Sequence, residues 1–275
     1  MFLKNKSYKQ LNNSTQKNKM VPNCCIFYLV NNNPIHLKRL YDSLDCLSKN
    51  FLCKYPYTVV FGHEGLSQDT IAEIKQHIST KHYFHKIEFT IPPYPEHIAD
   101  QIPVKFKGHW DENAFFSLGY RHMCRYFSGE IFRDSFFDNV NYLLRIDCDS
   151  YFTDTVEDDI FKVMQDTKSI YASVGEDTDM DYVVDGLHDF CNNYFNENRD
   201  DIRYNGMYQT HFELVDFKWF KSKVYQDFYK KIDDTGNIYI KRWGDAPIKY
   251  QGVKRLLTQE QVLMFKLPYK HGGDL

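Results

Sequence analysis

The run Cys25-Ile26-Phe27-Tyr28-Leu29-Val30 restricts the fold of this chain more than any other segment. It is apolar without alternation, so a strand built from it must be buried on both faces. Such a strand belongs in the middle of a sheet that carries helices on each side. The residues that follow agree. Asn31-Asn32-Asn33-Pro34 breaks the run, and a proline fits the first turn of a helix, where an N–H has no partner anyway. Leu37, Leu40, Tyr41, Leu44 and Leu47 then recur at spacings of three and four, the stripe of an amphipathic helix. Tyr57-Thr58-Val59-Val60-Phe61 reads as a second strand, ended by Gly62. Ser67 to Ile78 reads as a second helix with Ser67 as its N-cap. Ile87-Glu88-Phe89-Thr90-Ile91 alternates like a third strand, stopped by Pro92-Pro93. A β-α-β-α-β beginning predicts an α/β chain with a right-handed, doubly wound, Rossmann-like layer.

Ligands of open α/β sheets gather at the carboxyl ends of the strands. A further apolar run, Tyr142-Leu143-Leu144-Arg145-Ile146, ends there in Asp147-Cys148-Asp149. Two carboxylates at i and i+2 can reach one hard divalent cation, which then completes its shell with phosphate oxygens. Taken alone the triplet is also an ordinary surface turn. A region of helices is expected from about Asn113 to Phe127, and helical periodicity returns in Asp158 to Met164 and in Phe217 to Ile232. Asp177 to Asp201 is acidic and irregular.

Other residues carry chemistry with a plain structural alternative beside it. Glu213 sits among apolar neighbours in Thr210-His211-Phe212-Glu213-Leu214, where a charge is costly unless paired or used. A loop or helix-start acid accounts for it equally. Asp245, in Arg242-Trp243-Gly244-Asp245-Ala246-Pro247, either hydrogen-bonds hydroxyls of a polar ligand or caps a helix starting near Pro247. His271, in Lys270-His271-Gly272-Gly273, is either a metal ligand or a solvated tail residue. Arg121 and Arg125 lie at i and i+4 on one helix face, where they would neutralise a diphosphate or form surface ion pairs.

Composition narrows the classes. A net charge of −3 gives no basic face for nucleic acid. The 21 Tyr and 22 Phe suit either an aromatic core or a sugar-stacking surface. Seven cysteines without a C-x-x-C pair exclude a zinc site of that type and favour reduced thiols over a disulfide framework. Residues 1–20 are polar, read as a flexible tail, and lack the apolar core of a signal peptide. No run of about 20 apolar residues offers a membrane span. A soluble chain, compatible with the cytoplasm, is expected.

The run Tyr120-Arg121-His122-Met123-Cys124-Arg125-Tyr126, with Ser128-Gly129 and Phe132-Arg133 after it, is similar to a signature of the fungal Kre2/Mnt1-type α-1,2-mannosyltransferases, glycosyltransferase family 15. Further segments resemble that family in the same order: Tyr142 to Asp149, Phe212 to Asp216, Lys241 to Pro247, and Tyr269-Lys270-His271. The resemblance spans roughly Cys25 to His271 and implies a GT-A glycosyltransferase fold with a mixed central sheet, a single domain over residues 21–275. It implies a retaining transferase that moves mannose from GDP-mannose to a glycan or glycoprotein acceptor with Mn²⁺ as cofactor. Carried over by position, it makes Asp147, Asp149 and His271 the metal ligands. Glu213 becomes the carboxylate facing the anomeric carbon, and Tyr120 a tyrosine near donor and acceptor. Arg121, Arg145 and Asp245 would then contact the nucleotide sugar.

Two departures stand out. Asp147-Cys148-Asp149 replaces the family's Glu-Pro-Asp, and the segment Asn205 to His211 differs from the family's Cys-His-Phe-Trp-Ser-Asn type. The second bears on acceptor and donor choice, so another sugar nucleotide such as UDP-glucose is an alternative donor. A non-catalytic glycan- or nucleotide-binding descendant is a rival of another class. The family works in the Golgi lumen behind a membrane anchor, which this sequence does not display.

Overall fold

A computed structural model describes residues 23–103 and 117–275. The expected tail, residues 1–20, and the expected helical residues 113–116 lie outside them. Eleven strands occur among the described residues: β1 (Cys24–Leu29), β2 (Thr58–His63), β3 (His82–Lys86), β4 (Tyr142–Ile146), β5 (Ser150–Phe152), β6 (Tyr171–Ser173), β7 (Glu176–Thr178), β8 (Gly206–Tyr208), β9 (Phe212–Asp216), β10 (Val262–Met264) and β11 (Tyr269–His271). Seven form one sheet in the order β10-β6-β9-β4-β1-β2-β3. β1 is parallel to β2 and β4, while β9 runs antiparallel to both β4 and β6. The sheet is therefore mixed and central, as the resemblance implied. β5 pairs with β11, and β7 with β8, in two small antiparallel ribbons.

β1 shows why its apolar run does not alternate. Cys25 and Phe27 enter one core, whereas Cys24, Ile26 and Tyr28 enter the core on the opposite face. The helix Pro34–Leu47 covers the second core with Leu40, Leu44 and Leu47. Helices Leu118–Ser128, Lys223–Asp234 and Asp245–Leu256 contribute to the first. Ser117 caps the first of these by accepting from the Tyr120 N–H.

Several boundaries differ from the sequence expectation. The third strand is His82–Lys86 and not Ile87–Ile91, because it is His82 to Lys86 that lie in register with Val59 to His63. It is an edge strand with three half-buried residues and no clean alternation. Gly62 lies inside β2: a Cβ there would stand 2.4 Å from the Phe27 ring, so the glycine makes room for a core phenylalanine. The second helix is shorter, Gln68–Ile74, although Ser67 caps it as expected. The expected helix over Phe217 to Ile232 is two helices, Phe217–Phe220 and Lys223–Asp234. The acidic stretch after Asp177 contains an ordered helix, Leu187–Phe195.

Candidate active site

β1, β2 and β3 extend the sheet in one direction and β4 in the other, so the strand order switches between β1 and β4. Crevices form at such points. Asp147 and Asp149 leave the carboxyl end of β4 there. The intervening Cys148 turns inward, its thiol donating to the Leu29 carbonyl at the end of β1. The i and i+2 placement thus keeps both carboxylates outward and one thiol inside.

The last strand brings the histidine. β11 pairs with β5 so that His271 stands opposite Ser150. Its Nδ1 lies 3.5 Å from Asp149 Oδ1 and 3.1 Å from Ser150 Oγ. The Gly272 N–H donates to the Asp149 carbonyl at 3.0 Å. His271 is therefore held by a strand, not carried in a loose tail. Its ring stacks on His211 with centroids 3.8 Å apart and planes 5° from parallel. The Tyr269 hydroxyl donates to the His211 carbonyl at 2.9 Å and also meets His211 Nδ1 at 3.0 Å. A phenol has one proton, so His211 Nδ1–H is the donor to the phenol oxygen, and Nε2 carries the lone pair. Burial, then His271 and Arg145, push the His211 imidazole down to about 3, so the ring is neutral. A cleft of about 570 Å³ opens beside this stack, lined in part by Gln209, His211, Lys266 and His271.

The residues present fit a divalent cation. Two donors each about 2.1 Å from one ion stand no more than roughly 4.2 Å apart, and the Asp149–His271 spacing falls inside that limit. Carboxylate plus imidazole suits Mn²⁺. No group of three such ligands is gathered among the described residues. Asp147 Oδ1 instead accepts from Arg145 Nε at 3.2 Å. Asp149 and His271 would hold such an ion with room left for phosphate oxygens.

Beneath the site lies a buried charge cluster. Residues directly opposite on adjacent strands share a face, so Arg145 of β4 and Glu213 of β9 project together. The helix Asp245–Leu256 supplies Asp245 and Lys249, one turn apart on its inner face. Arg145 Nη1 donates to Asp245 Oδ2 at 2.5 Å, and Lys249 Nζ bonds Glu213 Oε2. Burial opposes the Asp245 charge, but Arg145 and Lys249 win and hold its carboxyl below the usual range. Burial likewise lowers Lys249, against the raising effect of Glu213 and Asp245. Glu213 is 2% exposed. Near the cluster, the Tyr120 hydroxyl accepts from Arg242 Nη2 at 2.9 Å, and the Arg242 guanidinium lies over its ring.

Asp149 and His271 are therefore brought together, with Asp147 two residues away. Glu213, Arg145 and Asp245 form the layer below. Arg121 was expected to contact the nucleotide sugar. Its fully buried guanidinium donates to the carbonyls of Tyr239 and Pro103, and Arg125 pairs with Asp233. In this structure Arg121 braces backbone carbonyls and Arg125 a neighbouring helix. Asp245 accepts from Arg145 and opens its helix, with Gly244 as the N-cap. Lys249, His211 and Arg39 were not singled out from the sequence. The i, i+4 spacing of Asp245 and Lys249 was a usable signal for the first.

A mixed α/β sheet with acids at its switch point and a late histidine beside them has the GT-A-like arrangement. The chain belongs to the glycolipid 2-alpha-mannosyltransferase family, whose model matches residues 3–274. Among curated relatives, the glycolipid 2-alpha-mannosyltransferase of Saccharomyces cerevisiae is 23% identical, over 91% of this chain and 61% of its own length. The O-glycoside alpha-1,2-mannosyltransferase omh1 of Schizosaccharomyces pombe is 27% identical, over 86% of this chain and 66% of its own. The chain thus spans less than two thirds of each. The Mn/GDP form of core-mannan synthase A (CmsA/Ktr4) from Aspergillus fumigatus superposes with a TM-score of 0.78 at 19% identity, covering 94% of this chain and 76% of that one. Ktr4p from S. cerevisiae in complex with GDP gives 0.77 at 19% identity, covering 90% and 71%. No helix among the described residues is long and apolar enough to cross a membrane.

Proposed function

We propose that this chain is a metal-dependent retaining mannosyltransferase that moves mannose from GDP-mannose to a hydroxyl of a glycan or glycoprotein. The observation that carries it is the Asp149–His271 pair, 3.5 Å apart, at the switch point of a sheet of this family. Asp149 and His271 would hold Mn²⁺, with Asp147 close by and oriented by Arg145. When bound, the ion supplies Lewis-acid neutralisation of the leaving diphosphate.

Glu213 acts from below. Its carboxylate is enclosed and paired with Lys249, a poor arrangement for attack on an anomeric carbon. A fixed buried carboxylate instead stabilises the positive charge that develops on the sugar. This favours same-face transfer, in which the departing phosphate takes the acceptor proton, over a covalent glycosyl-enzyme. Tyr120, fixed by Arg242, borders the donor and acceptor, and the Arg145–Asp245 pair holds the floor of the site.

The test is donor hydrolysis across GDP- and UDP-sugars. GDP-mannose should be consumed with Mn²⁺, not with EDTA, and again when Mn²⁺ is restored. Preference for a UDP-sugar would replace the donor; turnover undiminished by EDTA would remove the metal.

A further inference from the structure

A diphosphate carries more negative charge than one divalent ion removes, so a site that releases it needs a nearby cation. The two arginines expected from the sequence are spent: Arg145 on Asp245 and Asp147, Arg121 on backbone carbonyls. The helix Pro34–Leu47, directly after β1, presents another. Arg39 Nη1 lies 3.8 Å from Asp149 Oδ2, and Arg39 Nε donates to Asp274 Oδ1 at 3.1 Å. The two oxygens of Asp149 thus face His271 on one side and Arg39 on the other. The Arg39 side chain is 27% exposed and that of its Asp274 partner 60%, so both are open to solvent. Asp274 also meets Lys38 at 3.4 Å.

Building on the nucleotide-sugar reading above, we infer that Arg39 is the diphosphate-neutralising residue of this chain, held by Asp274 until a diphosphate takes its place. An exposed Arg–carboxylate pair contributes little and exchanges readily. A planar guanidinium gains more from two phosphate oxygens, which it meets through parallel N–H bonds. Placement at the switch point, beside a carboxylate that would hold the ion, sets this arginine next to phosphates bound to that ion.

The experiment is calorimetric titration of pyrophosphate, GDP and UDP into the chain with saturating Mn²⁺, for wild type, R39Q and D274N. Mn²⁺ affinity alone is measured in parallel by electron paramagnetic resonance. R39Q should weaken pyrophosphate and GDP by about 10- to 100-fold, the loss of a charge-assisted hydrogen bond. Mn²⁺ alone should bind R39Q as well as wild type, and D274N should bind both probes at least as tightly. Wild-type pyrophosphate affinity in R39Q overturns the assignment, as does a loss explained by weaker Mn²⁺ binding. If pyrophosphate depends on Arg39 while UDP binds better than GDP, Arg39 stands and the guanosine donor falls. If wild type binds no probe, both fall.

Discussion

The buried pair between Lys249 and Glu213 sets up the sharpest perturbation. Lys249 is 1% and Glu213 2% exposed, and they lie beside a second pair, Arg145 and Asp245. The cluster holds two cations and two anions, so its net charge is zero. K249M leaves a carboxylate buried against tyrosines, including Tyr171, whose phenol burial and the Glu213 charge already push well above its usual value. Breaking one partner of a buried ion pair costs about 3–5 kcal/mol. Removing both partners restores neutrality, so E213Q/K249M should unfold within about 1 kcal/mol of wild type. Urea denaturation of wild type, both single variants and the double variant closes the cycle, read as ΔG with the m-value held common. The coupling should favour the intact pair by several kcal/mol. A K249M chain as stable as wild type, or a double variant no better than K249M, refutes the enclosure. The same double variant separates stability from chemistry. On the role proposed for Glu213 it should fold and bind GDP with Mn²⁺, yet turn over at least about tenfold more slowly.

H271A should lower Mn²⁺ affinity by at least the roughly 10- to 100-fold that losing an outer partner of a metal ligand costs, read by electron paramagnetic resonance; unchanged affinity removes His271 from the metal site. A Cβ on Gly129 would meet the Tyr229 ring at 2.1 Å, so G129A should cost about 1–3 kcal/mol by overpacking, and a neutral effect in urea titration contradicts the packing. Burial, then Arg121 and Arg125, lower His122 from its ordinary 6.5. The unfolded chain takes up that proton first, so this share of stability is complete above about pH 6.5 and declines as pH falls below it. H122Q should flatten the slope of stability against pH between 5 and 7, and an identical slope argues against a buried neutral ring.

The parallel half of the sheet was legible because Cys25 to Val30 is apolar along its whole length and its neighbours carry the shorter apolar runs Val59 to Phe61 and Tyr142 to Leu144. The edge strand His82–Lys86 was not, since a strand with one paired side and half-buried histidines carries no apolar run. The acid pair was legible from its place after a strand, and the structure sets His271, also noted from the sequence, beside Asp149. What the sequence hid was direction. Arg121 and Arg125 share a helix face, but nothing local says whether that face meets solvent, a ligand or the core. Lys249 was not singled out, because only the register of β9 against β4 places Glu213 where it needs a buried ammonium. Arg39 lay on the polar side of its helix, and its neighbour Asp149 is over a hundred residues away in sequence.

The proposed reaction is transfer of mannose with retained configuration, driven by an ion that Asp149 and His271 would hold. Its most direct measurement is proton NMR of the product formed from GDP-mannose and an α-mannoside acceptor, with Mn²⁺ and with EDTA, in wild type and in D149N. A new α-linked mannose should form with Mn²⁺ only, with little or none from D149N. A β-linked product, or equal product in EDTA or from D149N, contradicts it.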